Sequence, residues 1–319
     1  MNSALQQAIN DFFSIEQSDA RRIFHGRGQL HPGLEHICLD WFRPVLLITA
    51  YQAIEDVAAL LAAIRAADGQ GQVGSIILQK RYFKGAPAEL LSGTEMASTV
   101  VTEGRLLFEV HPGQQQNAGL FLDMRPLRDW LLLHAQGRNV LNLFAYTCSL
   151  SVAALAGGAS RVTNVDISKT SMQWGEKNHG LNGQGRDRVR AIPHNLFRSW
   201  GRIMQYGRYD LVIIDPPTRQ RGAFDVAKNY GAVIRKLSKL CNAHADVIAS
   251  INSPFLDTDY LVKQFADNAP EAKLIATIPA AAEFADKFPE RGLKICHFRM
   301  GSREEDAIRT QYRQSAQLP

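Results

Sequence analysis

Asp215-Pro216-Pro217-Thr218 follows the apolar run Tyr209 to Ile214. Two prolines after a strand make a rigid, extended exit with no backbone donors of its own. That exit exposes carbonyls and stiffens the rim of a pocket, with Asp215 as a fixed carboxylate at the rim. A second carboxylate, Asp166, closes the run Arg161 to Val165. A carboxylate at a strand end can accept both hydrogen bonds of a ribose diol. Asp166, Ser168 and Thr170 suit a helix N-cap equally well. Upstream, Leu141-Asn142-Leu143-Phe144-Ala145-Tyr146-Thr147-Cys148-Ser149 turns from a strand into a helix. The amides of such a turn can hold a polar or anionic group. No glycine-rich fingerprint marks this turn, so a plain strand-to-helix loop is the competing reading.

The elements that must position these groups come in alternation. Val140 to Phe144, Arg161 to Val165, Val189 to Ile192, Tyr209 to Ile214 and Asp246 to Ile251 read as strands. Leu150 to Ala156, Lys169 to Asn182 and Ala227 to Leu240 read as helices between them. Alternation of this kind implies βαβ units and a mainly parallel, doubly wound sheet, whose ligands bind beyond the carboxyl ends of the strands. Leu274 to Ile278 and Lys294 to Arg299 read as a closing pair of strands. Ahead of this domain (residues 137–319), residues 1–100 read as a small α/β domain. It has an amphipathic helix over residues 1 to about 22, strands at Ile37 to Phe42, Pro44 to Tyr51 and Val73 to Gln79, and a helix over Ile54 to Ala67. Residues 101–136 read as a joint: a β-hairpin within Val100 to Val110, with Thr102-Glu103-Gly104-Arg105 between its apolar runs, and a helix near Arg125 to His134.

Composition narrows the class. Hydrophobic residues make up 45% and charged residues 21%, enough to bury a sizeable core. No run of eighteen apolar residues occurs, so no transmembrane helix is expected. Met1 to Glu16 lacks the pattern of a secretory signal. Cys38, Cys148, Cys241 and Cys296 have neither zinc-site nor disulfide-scaffold spacing, so no metal is expected and a reducing, cytoplasmic location is. A net charge of +5 is compatible with a nucleic acid partner, and with none.

Together these residues resemble the bacterial large-subunit (23S) rRNA methyltransferases. Gly119-Leu120-Phe121-Leu122-Asp123-Met124-Arg125 matches the family's Gly-x-Phe-Leu-Asp-x-Arg signature just before the methyltransferase fold. Asn142 to Thr147 and Val165-Asp166-Ile167-Ser168 match the next two motifs. Asp215-Pro216-Pro217-Thr218 and Ala223-Phe224-Asp225-Val226 look closest to the guanine-N7 branch, found as the C-terminal half of a bifunctional enzyme. His25-Gly26-Arg27-Gly28 and Pro32-Gly33-Leu34-Glu35 resemble a stand-alone subgroup. The resemblance implies a Rossmann-like class I fold and S-adenosyl-L-methionine as cofactor. It implies that Asp123 and Arg125 lie near the methionine end, with the Asn142–Ser149 turn, including Phe144, Tyr146 and Thr147, beneath. Asp166 with Ile167 would hold the ribose, and Asn195 with Leu196 the adenine edge. Asp215, Pro216 and Pro217 would stand beside the methyl group. Relatives often carry an acidic residue at the Asn195 position, although an asparagine carbonyl can accept the same bond. They often carry glycine where Ser149 stands, so a positive φ there would be strained.

The residues also choose among reactions. Methylation of cytosine C5 needs a thiolate to attack C6, and relatives doing it carry a cysteine after the strand that follows Asp-Pro-Pro. Ala249-Ser250-Ile251-Asn252-Ser253-Pro254 has none, and Cys148 reads as packing. Guanine N7 already holds a lone pair, so alignment and electrostatics suffice. An exocyclic amine would call for an aromatic residue after Asp-Pro-Pro. Thr218 stands there, leaving Phe224 or Phe255 for the role. Arg219 and Arg221 fit RNA phosphates or a solvated loop equally, and Lys80-Arg81-Tyr82-Phe83-Lys84 fits single-stranded RNA or a plain strand end. A small-molecule or protein methyltransferase and a catalytically degenerate RNA-binding module are the alternatives to an RNA methyltransferase. Oligomeric state is not encoded in any feature found.

Overall fold

Short apolar runs rich in Val, Leu and Ile pair as strands wherever they can be covered on both faces. The central strands of the two larger sheets follow that rule. The computed structural model describes residues 2–220 and 222–301, in two compact units. Arg221, one of the two arginines beside Asp-Pro-Pro, lies outside the described residues.

The first unit is Met1–Arg125 with Ala280–Pro289. It contains α1 (Ser3–Phe13), β1 (Arg21–His25), β2 (Ile37–Phe42), β3 (Val45–Ala50), α2 (Val57–Ala67), β4 (Ser75–Lys80), β5 (Ala88–Gly93), β6 (Thr99–Glu103) and β7 (Leu106–Val110). Strands β1 to β5 form one sheet in chain order. Only β3 and β4, joined through α2, are parallel. Every residue of β2 and β3 is buried. Leu5, Ile9 and Phe13 of α1 join Trp41, Leu60 and Ile64 in the core. The N-terminal helix stops at Phe13, well short of residue 22. Residues 21–25 form β1 instead, paired antiparallel to β2. The 3-10 turn Gly26–Gly28 follows, and Gly26 presses so closely on the carbonyls of Leu34 and Ile37 that no Cβ fits. The β6–β7 hairpin forms as expected and turns at Gly104, whose φ is 56°. In the returning segment, Glu283 pairs with Arg21 at 2.7 Å and the Phe284 ring packs against His25.

The second unit is Pro126–Pro279 with Glu290–Pro319. After α3 (Arg125–His134) come β8 (Asn139–Leu143), α4 (Ser149–Ala156), β9 (Arg161–Asp166), α5 (Lys169–Leu181), β10 (Val189–Pro193), α6 (Trp200–Gln205) and β11 (Tyr209–Ile214). They are followed by β12 (Arg219–Gln220), β13 (Phe224–Asp225), α7 (Val226–Ile234), α8 (Leu237–Leu240), β14 (Cys241–Asn252), α9 (Thr258–Asn268), β15 (Ala272–Ile278) and β16 (Leu293–Met300). The sheet order is β10-β9-β8-β11-β14-β16-β15. The first five strands are parallel, and β16 runs antiparallel between β14 and β15. This is the Rossmann-like, doubly wound arrangement the sequence implied. Strand order reverses at β8, so the crevice for a ligand opens at the carboxyl ends of β8 and its neighbours. Among the described residues, no helix is long and apolar enough to cross a membrane.

Candidate active site

The turn between β8 and α4 is built from three residues with left-handed backbone. Phe144, Tyr146 and Cys148 have φ of 60°, 47° and 64°. Side chains other than glycine rarely adopt this conformation, and each instance costs about 1–3 kcal/mol unless its surroundings impose it. The surroundings here are visible. The Ala145 amide donates to the Val165 carbonyl at 3.0 Å, and the Cys148 amide to the Ala145 carbonyl at 2.7 Å. The Asn178 side chain donates to the Thr147 carbonyl at 2.9 Å. Strain expected at Ser149 falls one residue earlier, because Ser149 is already the first residue of α4. Cys148 is buried, with its sulfur so near Gly175 that a Cβ there would collide. Burial pushes its thiol well above the ordinary range, with the Asp166 charge adding to the shift. Cys148 is therefore packing, as its position in the sequence implied.

Asp166 closes β9 and faces this turn. One of its oxygens accepts from the Tyr146 amide at 3.0 Å, the other from the Ser168 amide at 2.8 Å. Ser168 supplies the cap of α5, its hydroxyl accepting from the Ser171 amide at 3.1 Å. The cap that Asp166 had been equally suited to is thus provided by its neighbour. Burial raises the Asp166 pKa, and the two amide bonds oppose that rise.

A small cleft opens beside Asp166. Phe144, Val165 and Ile167 line one side, Asn195, Leu196 and Phe197 another, and Gln220, Ala223 and Phe224 a third. The Phe224 ring is buried, 4.8 Å from that of Phe144 and 6.4 Å from that of Phe197. Asn195 caps the short 3-10 turn Leu196–Arg198, its side-chain oxygen accepting from the Phe197 amide at 2.9 Å. One lone-pair direction of that oxygen remains for a ligand. The structure thus brings Phe144, Asp166, Ile167, Asn195 and Leu196 around one cleft. It adds His194, Phe197 and Gln220, whose only signal in the sequence was their place after a strand end or beside Asp-Pro-Pro.

Asn142, Tyr146 and Thr147 do not line the cleft. Asn142 is buried within β8, donating to the Asn164 side chain at 3.1 Å, and Thr147 is buried inside the turn. Tyr146 contributes its amide to Asp166. Asp215 follows β11, where the Ser250 hydroxyl donates to its carboxylate. Pro216 is buried and Pro217 exposed. The Thr218 hydroxyl donates to the Asn252 carbonyl at 2.7 Å, tying the Asp-Pro-Pro loop to the end of β14. Phe255, three residues beyond that end, is 90% exposed. Asp123 and Arg125 belong to the first unit, where Arg125 pairs with Asp19 at 3.1 Å. All four cysteines are buried.

A cleft lined by aromatic rings and one amide-clamped carboxylate offers an apolar face for a flat heterocycle and acceptors for a vicinal diol. The chain is similar to known proteins. The profile of the S-adenosylmethionine-dependent methyltransferases matches residues 21–299. The ribosomal RNA large subunit methyltransferase K/L of Shewanella pealeana is 37% identical over 158 residues, or 48% of this chain and 22% of that protein. Its counterpart in Vibrio cholerae is 30% identical over 240 residues, or 70% of this chain and 33% of that protein. The chain therefore spans a third or less of the length of these relatives. A solved putative methyltransferase complexed with SAH superposes with a TM-score of 0.80 at 24% identity, covering 93% of this chain and 80% of that one. At that identity the likeness is one of fold.

Proposed function

The chain belongs to the S-adenosylmethionine-dependent methyltransferase family, and from that premise we propose that it methylates a base of ribosomal RNA, at guanine N7. The observation that carries the cofactor part is the Asp166 carboxylate, clamped by two amides in the lining of the aromatic cleft. The donor set fits the group: a diol for the free lone pairs of Asp166, and a purine against the apolar lining that includes Phe144 and Phe197. When bound, S-adenosylmethionine supplies an electrophilic methyl group on a sulfonium.

The chain's own residues then do the rest. Ile167 covers the sugar, and Asn195 and Leu196 meet the adenine edge. Asn142, Tyr146 and Thr147 hold the turn from beneath. Asp123 and Arg125 are assigned to the methionine end by the family resemblance alone. Asp215, with its oxygen held by Ser250 and its loop stiffened by Pro216 and Pro217, fixes the acceptor base beside the methyl group. Guanine N7 is favoured because its lone pair needs only alignment. No cysteine stands in Asn252-Ser253-Pro254, directly after Ile251, and the buried Cys148 is unsuited to attack a base at C6. The likeness to the K/L enzymes supports ribosomal RNA as the substrate class. Such a substrate puts the reaction in the cytoplasm.

Calorimetry tests the first step. S-adenosylhomocysteine should bind at one site per chain, and binding should be lost in Asp166→Ala. Absence of binding to the native chain would end the proposal.

A further inference from the structure

Residues 186–208 contain six arginines, no lysine and one aspartate, a net charge of +5. The whole chain also carries +5, from 36 basic and 31 acidic residues. Outside this 23-residue segment the chain is balanced, with 30 residues of each sign. The excess positive charge of the molecule is therefore local, and the fold gives it a definite place.

The segment is the outer edge of the seven-stranded sheet, β10, followed by the 3-10 turn Leu196–Arg198 and α6. Charges on an edge strand have a protective explanation, because they discourage pairing with another chain. That accounts for Arg188 and Arg190. It does not account for Arg198 and Arg202, which are exposed and lie off the strand, on the turn and on α6. Among the described residues, none of Arg188, Arg190, Arg198 and Arg202 forms an ion pair with an acidic side chain, whereas Arg186 reaches Glu176 at 3.7 Å.

Two aromatic rings lie within this surface, each with a cation on its face. The Arg190 guanidinium is 4.3 Å from the Tyr206 ring, and the Lys236 ammonium, from the end of α7, is 5.8 Å from the Trp200 ring. Stacking holds the Arg190 side chain in one orientation before any partner arrives. The surface is continuous with the cleft. Phe197, which lines the cleft, packs edge-on against Trp200 at 6.4 Å, and the Arg198 amide donates to the carbonyl of Asn195 at 3.1 Å.

We propose that this edge, carried by Arg190, Arg198 and Arg202 with Trp200 and Tyr206, is a docking surface for the sugar-phosphate backbone of RNA. The inference rests on the RNA-methyltransferase reading above and says where the RNA lies relative to the cofactor cleft. Phosphate oxygens match the planar fork of arginine, which explains why residues 186–208 are basic through arginine and carry no lysine. Phosphates also supply the repeated negative charge that several unpaired cations along one edge would meet.

The test is fluorescence anisotropy with a labelled single-stranded RNA of about 20 nucleotides, titrated between about 50 and 200 mM salt. The native chain is compared with Arg198→Ala/Arg202→Ala and Arg198→Glu/Arg202→Glu. Both side chains are exposed, and S-adenosylhomocysteine affinity within about twofold of native checks that each variant keeps its fold and cleft. The double alanine variant should lower the slope of log K against log salt by about 1.5, and weaken binding about tenfold or more at the lowest salt. The double glutamate variant should weaken it further. Native slope and affinity in both variants would overturn the docking surface and leave the RNA reading standing. No RNA binding by the native chain would overturn both. Equal competition by polyglutamate at matched charge would assign the edge to acidic proteins and overturn the proposal.

Discussion

Asp166 has about four lone-pair directions on its two oxygens and uses two of them on the Tyr146 and Ser168 amides. The remaining two are the ones a ribose diol would take. Asp166→Asn keeps the shape but removes the charge and one acceptor, so S-adenosylhomocysteine affinity should fall about 10- to 100-fold by calorimetry, the range of a charge-assisted hydrogen bond. Unchanged affinity would remove Asp166 from the site. Because burial raises the Asp166 pKa above 3.8, acid should weaken binding at a higher pH than an ordinary aspartate would dictate. In the proposed mechanism Asp215 belongs to the chemical step. Asp215→Ala should lower single-turnover methyl transfer about 100-fold or more, and Ser250→Ala, which removes its hydroxyl donor, about tenfold. The strand-end positions of Asp166 and Asp215 were legible in the sequence because each stands where an apolar run stops. The left-handed backbone at Phe144, Tyr146 and Cys148 was not. Glycine or asparagine usually announces that conformation, and here tertiary hydrogen bonds impose it on three residues that do not.

The elements beneath the cleft are locked by a buried polar network. Asn142 on β8 donates to Asn164 on β9, whose amide lies 3.2 Å from the Nε2 atom of His179 on α5. His179 Nδ1 faces the Gln184 oxygen at 2.6 Å, and Gln184 donates to the Val152 carbonyl of α4 at 2.8 Å. Burial lowers the His179 pKa to about 4, partly offset by the bond to Gln184. The unfolded chain takes up this proton near pH 6.5, before the folded one does. Stability should therefore be full above pH 6.5 and fall by about 3 kcal/mol as pH drops toward 4. Urea unfolding at a series of pH values measures this, and His179→Gln should flatten the part of the curve that belongs to this group. At the other end of the strands, Asp246 accepts from His297, Arg138 and Arg299. Burial alone would raise its pKa, but these bonds outweigh it and hold the carboxyl far below its usual range. Asp246→Ala should cost about 3–5 kcal/mol, as for other broken buried pairs. The strands β9 and β11 were readable to within a residue, since apolar runs bounded by charge leave little choice. Strand β5, helix α6 and the β12–β13 hairpin were not. Most of β5 is exposed and α6 spans only six residues, so neither carries a clear hydrophobic period.

Across the whole molecule, charge and ligand binding give separate handles on the account. The basic excess read from composition was compatible with many partners, and its confinement to residues 186–208 became meaningful only once those residues were seen to form a sheet edge beside the cleft. A ligand that binds only the folded chain stabilises it, so S-adenosylhomocysteine at about 100 times its Kd should add about 2.7 kcal/mol to unfolding, visible as a raised thermal midpoint. S-adenosylhomocysteine that leaves the midpoint unchanged would mean that the cleft does not take the cofactor. The central claim, methyl transfer to a guanine N7 of ribosomal RNA, is tested most directly by nucleoside mass spectrometry of ribosomal RNA from cells with and without the gene. The account predicts that one 7-methylguanosine is lost with the gene and regained with native protein, but not with Asp166→Ala or Asp215→Ala. An unchanged set of methylated nucleosides, or loss of 5-methylcytidine instead, would contradict it.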